Sequence, residues 1–301
     1  MRTFLIAVFV LAGWLALQQP VPMIDPKTLA PPQDFVTIDG LSVHVVRQGS
    51  GERTPVLLVH GFGGWTADWQ RTLPVLARRR AVYAPDLPGW GLSDKPANRD
   101  YAIEAQAAFV LDFLDHFGLK RVDVVGNSMG GAIAVALAVT YPQRVRKLVL
   151  IDSAGYRDFG LRRWAGLAQL PLTAALVRAA LPDYERLRRT LEWLYGDRTR
   201  LTPDTVNAHC LPLRTPGMAE ALLAMTQTLR LDSVKALIPQ ITQSTLILWG
   251  GKDPLIPVAH ARRFQRDIAG SQLHIFPGAG HVPQEEVPAQ LNPVLLEFLN
   301  R

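Results

Sequence analysis

The chain has a single cysteine, Cys210, among 301 residues. That excludes an intrachain disulfide and a zinc site built on clustered thiols, and leaves Cys210 as a packed thiol. Long runs of like charge are missing as well: the net charge of +6 is spread along the chain, and its longest basic run is Arg78, Arg79 and Arg80. With no nucleic-acid motif beside it, this excess implies solubility and attraction to anionic membrane surfaces, not a nucleic-acid partner. Internal repeats and low-complexity tracts are absent, which argues against a solenoid or a disordered chain. No motif points to a metal or a cofactor, and Trp65, Trp69 and Trp90 are expected to pack. What is abundant is apolar character, 48% of residues, enough for one large domain or one domain carrying an insertion.

The start of the chain differs from the rest. Arg2 precedes an uncharged apolar stretch from Phe4 to Leu17. As a helix, these residues reach about 21 Å against roughly 30 Å of hydrocarbon. That length suits a signal segment, and adding Gln18 to Ile24 makes it long enough to span. Residues 1–17 are thus expected to be a signal or anchor segment that places the rest of the chain outside the cytoplasm, with membrane association through residues 1–24. A buried N-terminal helix is the competing reading. Pro20, Pro22, Pro26, Pro31 and Pro32 mark residues 18–33 as a stiff linker.

Beyond the linker, Asp34 to Arg47 alternates around Asp39-Gly40 and predicts a hairpin. Short apolar runs at Val56–Val59, Val82–Pro85, Val122–Val125, Lys147–Ile151, Thr245–Trp249 and Leu273–Phe276 predict strands, the first of them buried. Helical patterns lie between or after several of them: Trp69–Arg80, Ile103–Phe117, Ala132–Tyr141 and Pro288–Leu299. Such alternation predicts an α/β fold with a mostly parallel eight-stranded sheet and helices on both faces. Between Gly155 and Gln243 strand signals vanish. Leu161–Leu181, Tyr184–Tyr195 and Ala219–Leu231 are helical, with Pro182, Pro203, Pro212 and Pro216 as punctuation. Residues 155–243 are therefore expected to form an inserted helical cap on a core of residues 34–154 and 244–301.

Ser128 lies in Gly126-Asn127-Ser128-Met129-Gly130, between a predicted strand and a small-residue helix. A sharp turn there lifts the hydroxyl off the end of the sheet, and flanking glycines leave room for strand and helix to approach. A serine hydroxyl is a weak nucleophile at neutral pH and needs a base, which in turn needs an orienting group. His281, on the loop Pro277-Gly278-Ala279-Gly280-His281, follows the last strand, and Asp253 follows the one before it. Strand ends of this kind converge on one rim of a parallel sheet. Asp152, at the end of the preceding strand, is the rival to Asp253. Among other histidines, His274 lies inside a strand, His44 in the hairpin, and His116, His209 and His260 on helices or the surface.

Together with His60-Gly61-Phe62-Gly63-Gly64, Asp86-Leu87-Pro88-Gly89-Trp90-Gly91-Leu92-Ser93 and Gly280-His281, this arrangement resembles the α/β-hydrolase fold with a helical cap, from Phe35 to the C-terminus. The resemblance implies a nucleophile elbow at Ser128, a triad of Ser128, His281 and Asp253, and an oxyanion hole from the backbone N–H groups of Phe62 and Met129. His60 would brace the turn presenting Phe62. Serine at the elbow separates the chain from dehalogenase and epoxide-hydrolase branches, which use aspartate. It implies an acyl-enzyme formed from a small-molecule substrate, with an apolar carboxylic ester expected first. The alternative is a carbon–carbon bond beside a ketone, as in meta-cleavage-product hydrolases, many of which carry tryptophan where this chain has Val282. A ligand receptor without turnover is the non-enzymatic reading. Trp164 and Trp193 are expected to line the acyl pocket, and Arg162, Arg163, Arg188 and Arg189 to lie on solvated helix faces. The oligomeric state is not legible from the sequence.

Overall fold

The computed structural model describes residues 23–157, 160, 165–166 and 173–301. Eight strands form one sheet: β1 (Phe35–Ile38), β2 (Leu41–Gln48), β3 (Val56–Val59), β4 (Val82–Pro85), β5 (Val122–Asn127), β6 (Val145–Ile151), β7 (Ser244–Gly250) and β8 (Gln272–Phe276). Their spatial order is β1-β2-β4-β3-β5-β6-β7-β8. The pairings β1 to β2 and β2 to β4 are antiparallel, and all others are parallel. The order reverses at β3 and β5, and a crevice at the carboxyl ends of such a switch is where α/β sheets bind ligands.

The central strands β3, β5 and β6 carry apolar residues on both faces because both faces of the sheet are covered. Leu57, Val59, Val122, Val124, Leu148 and Leu150 point to one side, where they meet α2 (Ile103–His116) and α3 (Met129–Thr140). Val56, Leu58, Val125, Val149 and Ile151 point to the other, with Leu291 and Leu295 of the C-terminal helix Pro288–Asn300. Buried alanines at 132, 134, 136 and 138 let α3 lie close against the sheet.

The predicted helix over Trp69–Arg80 is mostly absent. A 3₁₀ turn at Thr66–Trp69 and a single α turn, α1 (Leu73–Leu76), take its place. Pro74 explains the break: it has no N–H to donate and its ring crowds the preceding turn, so a helix cannot run through it from Trp69.

Between β6 and β7 the described residues contain no strand. They carry α4 (Thr173–Ala180), α5 (Tyr184–Leu194), α6 (Pro203–Cys210) and α7 (Met218–Thr228). Met218, Ala221, Met225, Leu229, Val234 and Ile238 merge with the core on the α2/α3 side, so the insert is packed onto the sheet domain. Three elements complete the chain: α8 (Ala259–Asp267), the single turn α9 (Pro283–Glu286) and α10 (Pro288–Asn300).

The expected signal or anchor segment and Pro20 and Pro22 of the linker lie outside the described residues, as do Trp164, Arg162 and Arg163. No helix among the described residues is long and apolar enough to cross a membrane. The described end of the linker is docked: the Ile24 N–H donates to Arg214 O at 2.8 Å.

Candidate active site

Ser128 sits between β5 and α3 with φ 53° and ψ −117°. A non-glycine residue at positive φ costs roughly 1–3 kcal/mol and is held only by its surroundings. Here the surroundings are close. A Cβ on Gly126 would lie 2.3 Å from Gly130 O, and one on Gly130 would lie 2.2 Å from Val59 O. Strand, helix and the neighbouring strand thus touch through bare backbone, which is the role the sequence assigns to these glycines.

The turn after β3 packs directly on this elbow: a Cβ on Gly61 would come within 3.1 Å of Ser128 Cβ. His60 braces the turn, as expected. Its Nε2 accepts the Leu87 N–H (3.0 Å) while Nδ1 bonds Gly61 O (2.8 Å). Burial holds this imidazole below its ordinary pKa, consistent with a neutral ring that accepts at Nε2 and donates at Nδ1. Phe62 stands partly exposed at the tip, its ring edge-on to Trp90 at 4.5 Å. Met129 is the first residue of α3, where helical N–H groups lack partners within the helix. The two expected oxyanion donors therefore flank the elbow.

The loops of Asp253 and His281 meet at the same rim. Asp253 Oδ2 is 2.7 Å from His281 Nδ1, and Asp253 Oδ1 accepts the N–H groups of Leu255 (2.7 Å) and Ile256 (2.9 Å). The elbow is tied to the histidine loop by Asn127, whose Nδ2 donates to His281 O (3.3 Å) and Ile151 O (3.1 Å). Asp152, the rival carboxylate, accepts the Gly250 N–H at 2.9 Å. It lies beside the pair without holding the histidine at hydrogen-bond distance. Ser128, Asp253 and His281 are all buried.

Several neighbours act through contacts that the sequence motifs do not reveal. Asp86 is a fully buried hub, accepting the N–H groups of Thr66 and Leu92 (2.7 Å each) and bonding His44 Nδ1 (2.8 Å). Burial would raise its carboxyl, but the bond to His44 and the charges around it outweigh that and hold it low. His44 is thus a buried partner as well as a hairpin residue. Glu286 is a second hub. Its carboxylate accepts the N–H groups of Gly280 (2.8 Å), Gly196 (3.1 Å) and Asp197 (2.9 Å). The His281 N–H donates to Leu194 O at 2.8 Å. The insert therefore grips the main chain of the histidine loop directly. Trp193, expected in the acyl pocket, is 53% exposed and faces solvent. Arg188 lies on a solvated helix face as expected, paired with Glu185 and Glu192.

His209, expected on a helix or the surface, is on α6 but buried between core and insert. Its Nε2 is 3.3 Å from Glu285 Oε2 and 4.0 Å from Asp68 Oδ1, and the Tyr195 hydroxyl donates to Glu285 Oε2 at 3.2 Å. By donor type, Asp68, His209 and Glu285 are, among the described residues, the set outside the Asp152–Asp253–His281 group that could hold a cation. The contact between His209 and Glu285 is that of an ion pair. Burial opposes a charge on His209, but Glu285 and Asp68 outweigh it and raise its pKa from 6.5 to about 9. Asp68 is raised from 3.8 to about 7, mainly by burial. Both groups hold protons more tightly in the folded state, so stability falls as pH rises, through the Asp68 window from 3.8 to 7 and the His209 window from 6.5 to 9. The urea midpoint should therefore drop between pH 6.5 and 9, and His209→Gln should flatten that slope. An unchanged slope in the variant would remove His209 as its cause.

The family profile described as alpha/beta hydrolase fold matches residues 54–288. A 2-hydroxymuconate semialdehyde hydrolase from Pseudomonas sp. (strain CF600) is 33% identical over 262 residues, 83% of this chain and 88% of that protein. Among solved structures, a meta-cleavage product hydrolase from Pseudomonas fluorescens IP01 superposes with a TM-score of 0.75 at 28% identity, covering 88% of this chain and 97% of the other. A thermophilic esterase from Thermogutta terrifontis gives 0.74 at 28%, covering 88% and 98%. These matches side with the carbon–carbon alternative more than with the ester expected first. On the matched profile, the eight-stranded sheet and these relatives, the chain belongs to the alpha/beta hydrolase fold family.

Proposed function

We propose that this hydrolase works through an acyl-enzyme on Ser128 and that the bond it cuts is a carbon–carbon bond beside a ketone, in a vinylogous diketone acid. In this reading His281 takes the Ser128 proton as the hydroxyl attacks the carbonyl. Asp253 fixes the ring by its 2.7 Å bond to Nδ1, leaving Nε2 to face the serine. The N–H groups of Phe62 and Met129 receive the oxyanion. As the tetrahedral intermediate collapses, the electron pair of the breaking bond passes into the conjugated fragment, which takes up the proton from His281. Water activated by the neutral His281 then releases the acid. The observation that carries the choice of bond is the 33% relative, whose name specifies 2-hydroxymuconate semialdehyde.

Ester hydrolysis is the second reading, supported by two observations: Val282 follows the histidine, and the esterase superposes almost as well as the carbon–carbon hydrolase. Assay of a vinylogous diketone acid beside p-nitrophenyl esters of increasing chain length tests the choice. A kcat/KM for the diketone acid at least about 10²-fold above the best ester, near 3 kcal/mol in transition-state binding, is expected. Turnover of esters alone would overturn the carbon–carbon reading. Tight binding with turnover of neither would favour a receptor. Export through residues 1–17 is part of the same proposal, and the intact mass of the mature protein tests whether they are removed.

A further inference from the structure

We propose that Asp152 is a neutral carboxylic acid whose proton is donated to Asp253, so that it serves as a positioning residue for the Asp253–His281 pair; this rests on the triad reading above. Asp152 is wholly buried at the end of β6, with φ 43°. Its Oδ1 accepts the Gly250 N–H, while its buried Oδ2 is reached by no donor among the described residues. One oxygen of Asp152, one of Asp253 and a ring nitrogen of His281 lie within 4.8 Å of one another. The ionisable groups facing Asp152 are therefore Asp253 on the loop after β7 and His281 on the loop after β8, with Glu286 on α9 contributing a further negative charge.

Two buried carboxylates with oxygens within 4.8 Å of each other do not both stay ionised without a large cost, and a single proton settles on the one whose charge is less well solvated. Asp253 is solvated by three donors: the N–H groups of Leu255 and Ile256, and His281 Nδ1. Asp152 has one, from Gly250. The proton therefore belongs to Asp152. Once Oδ2 carries it, the orphaned oxygen becomes a donor and Asp253 is its acceptor. Burial and the neighbouring Asp253 push the Asp152 carboxyl well above the usual carboxylate range, in the same direction. The pair then carries one negative charge, enough to balance the imidazolium formed as His281 takes the serine proton. The bond from Asp152 also helps fix the carboxylate that orients the ring.

Asparagine reproduces a neutral acid here, with Oδ1 for the Gly250 N–H and Nδ2 as donor to Asp253, and it tolerates positive φ. Asp152→Ala is expected to lower kcat about tenfold through loss of a hydrogen bond to a charged group. Asp152→Asn should restore it to within about threefold of the native enzyme, with the acid limb of the kcat/KM profile unmoved. Asp253→Asn should lose about 10⁴. If Asp152→Asn fell as far as Asp253→Asn, or shifted the acid limb downward, Asp152 would be ionised and the proposal wrong. If Asp152→Ala were as active as the native chain, the positioning role would fail. Infrared difference spectra of the folded proteins at neutral pH need no turnover. The native chain should show a protonated-carboxyl band that Asp152→Asn lacks, and absence of that band in the native chain would overturn the proposal whatever the enzyme's substrate.

Discussion

Replacing Ser128 by alanine is expected to lower turnover by about 10⁶ while leaving the fold intact, and replacing His281 by alanine should cost about the same. In the proposed mechanism the two act as one unit: an unactivated hydroxyl gains little from its position, and a base without its nucleophile has no proton to take. The double variant should therefore be no slower than either single one, and a residual rate above water should remain from the main-chain donors at Phe62 and Met129. Single-turnover assays on the best substrate, together with labelling by a fluorophosphonate, check this. Ser128→Ala that still labels, or that keeps more than about a hundredth of native turnover, would sink the serine assignment. Removing the Ser128 side chain also leaves the strained backbone in place, because glycine packing at 126 and 130 holds the turn. Thermal stability should accordingly stay close to native.

Asp253→Asn is expected to cost about 10⁴ in turnover with little change in KM. The substitution is close in shape and keeps an acceptor for Leu255 and Ile256, but it removes the anion that balances the imidazolium and presents an amide to His281 Nδ1. With a donor opposite it, Nδ1 must become the acceptor. The ring proton then moves to Nε2, the atom that in the proposed mechanism receives the proton from Ser128. The loss should appear in kcat and lessen for substrates with more acidic leaving groups, which need less help from His281 as an acid. A variant within tenfold of native would show that the Asp253 carboxylate is not what orients the base.

The sheet is legible in the sequence because parallel strands buried on both faces read as short apolar runs, and the elbow because its glycines have a steric purpose. The six strands β3 to β8 lie where those runs stand, and β1 and β2 where the hairpin is expected, within two residues at either end. Helices are less legible where proline is ambiguous. Pro203 has the look of a stop, but it occupies the start of α6, where a missing N–H costs nothing and Thr202 caps the Thr205 N–H. Pro74 does break its helix, and Pro293 sits inside α10 without ending it. The amphipathic helix α8 has no counterpart among the helical patterns expected from the sequence. At the site, residues with a motif are legible and residues with only a contact are not. Glu285 and Glu286 are adjacent acidic residues in sequence, yet one pairs with His209 and the other takes three backbone N–H groups. Trp193 shows the opposite error: a large aromatic suggests a pocket wall, but on α5 it falls on the outward face.

Recombination between relatives meets its hardest boundary where residues 194–197 lie against the loop of His281. A graft that exchanges residues 155–243 to alter selectivity also exchanges the carbonyl at 194 and the amides at 196 and 197, which hold the catalytic loop from behind. Chimaeras that keep Leu194 to Asp197 with Glu286 as one block should retain native kcat on a shared substrate, whereas those cut through it should lose turnover even when the new acyl site binds well. Equal kcat in both sets would show that the two blocks are freely exchangeable.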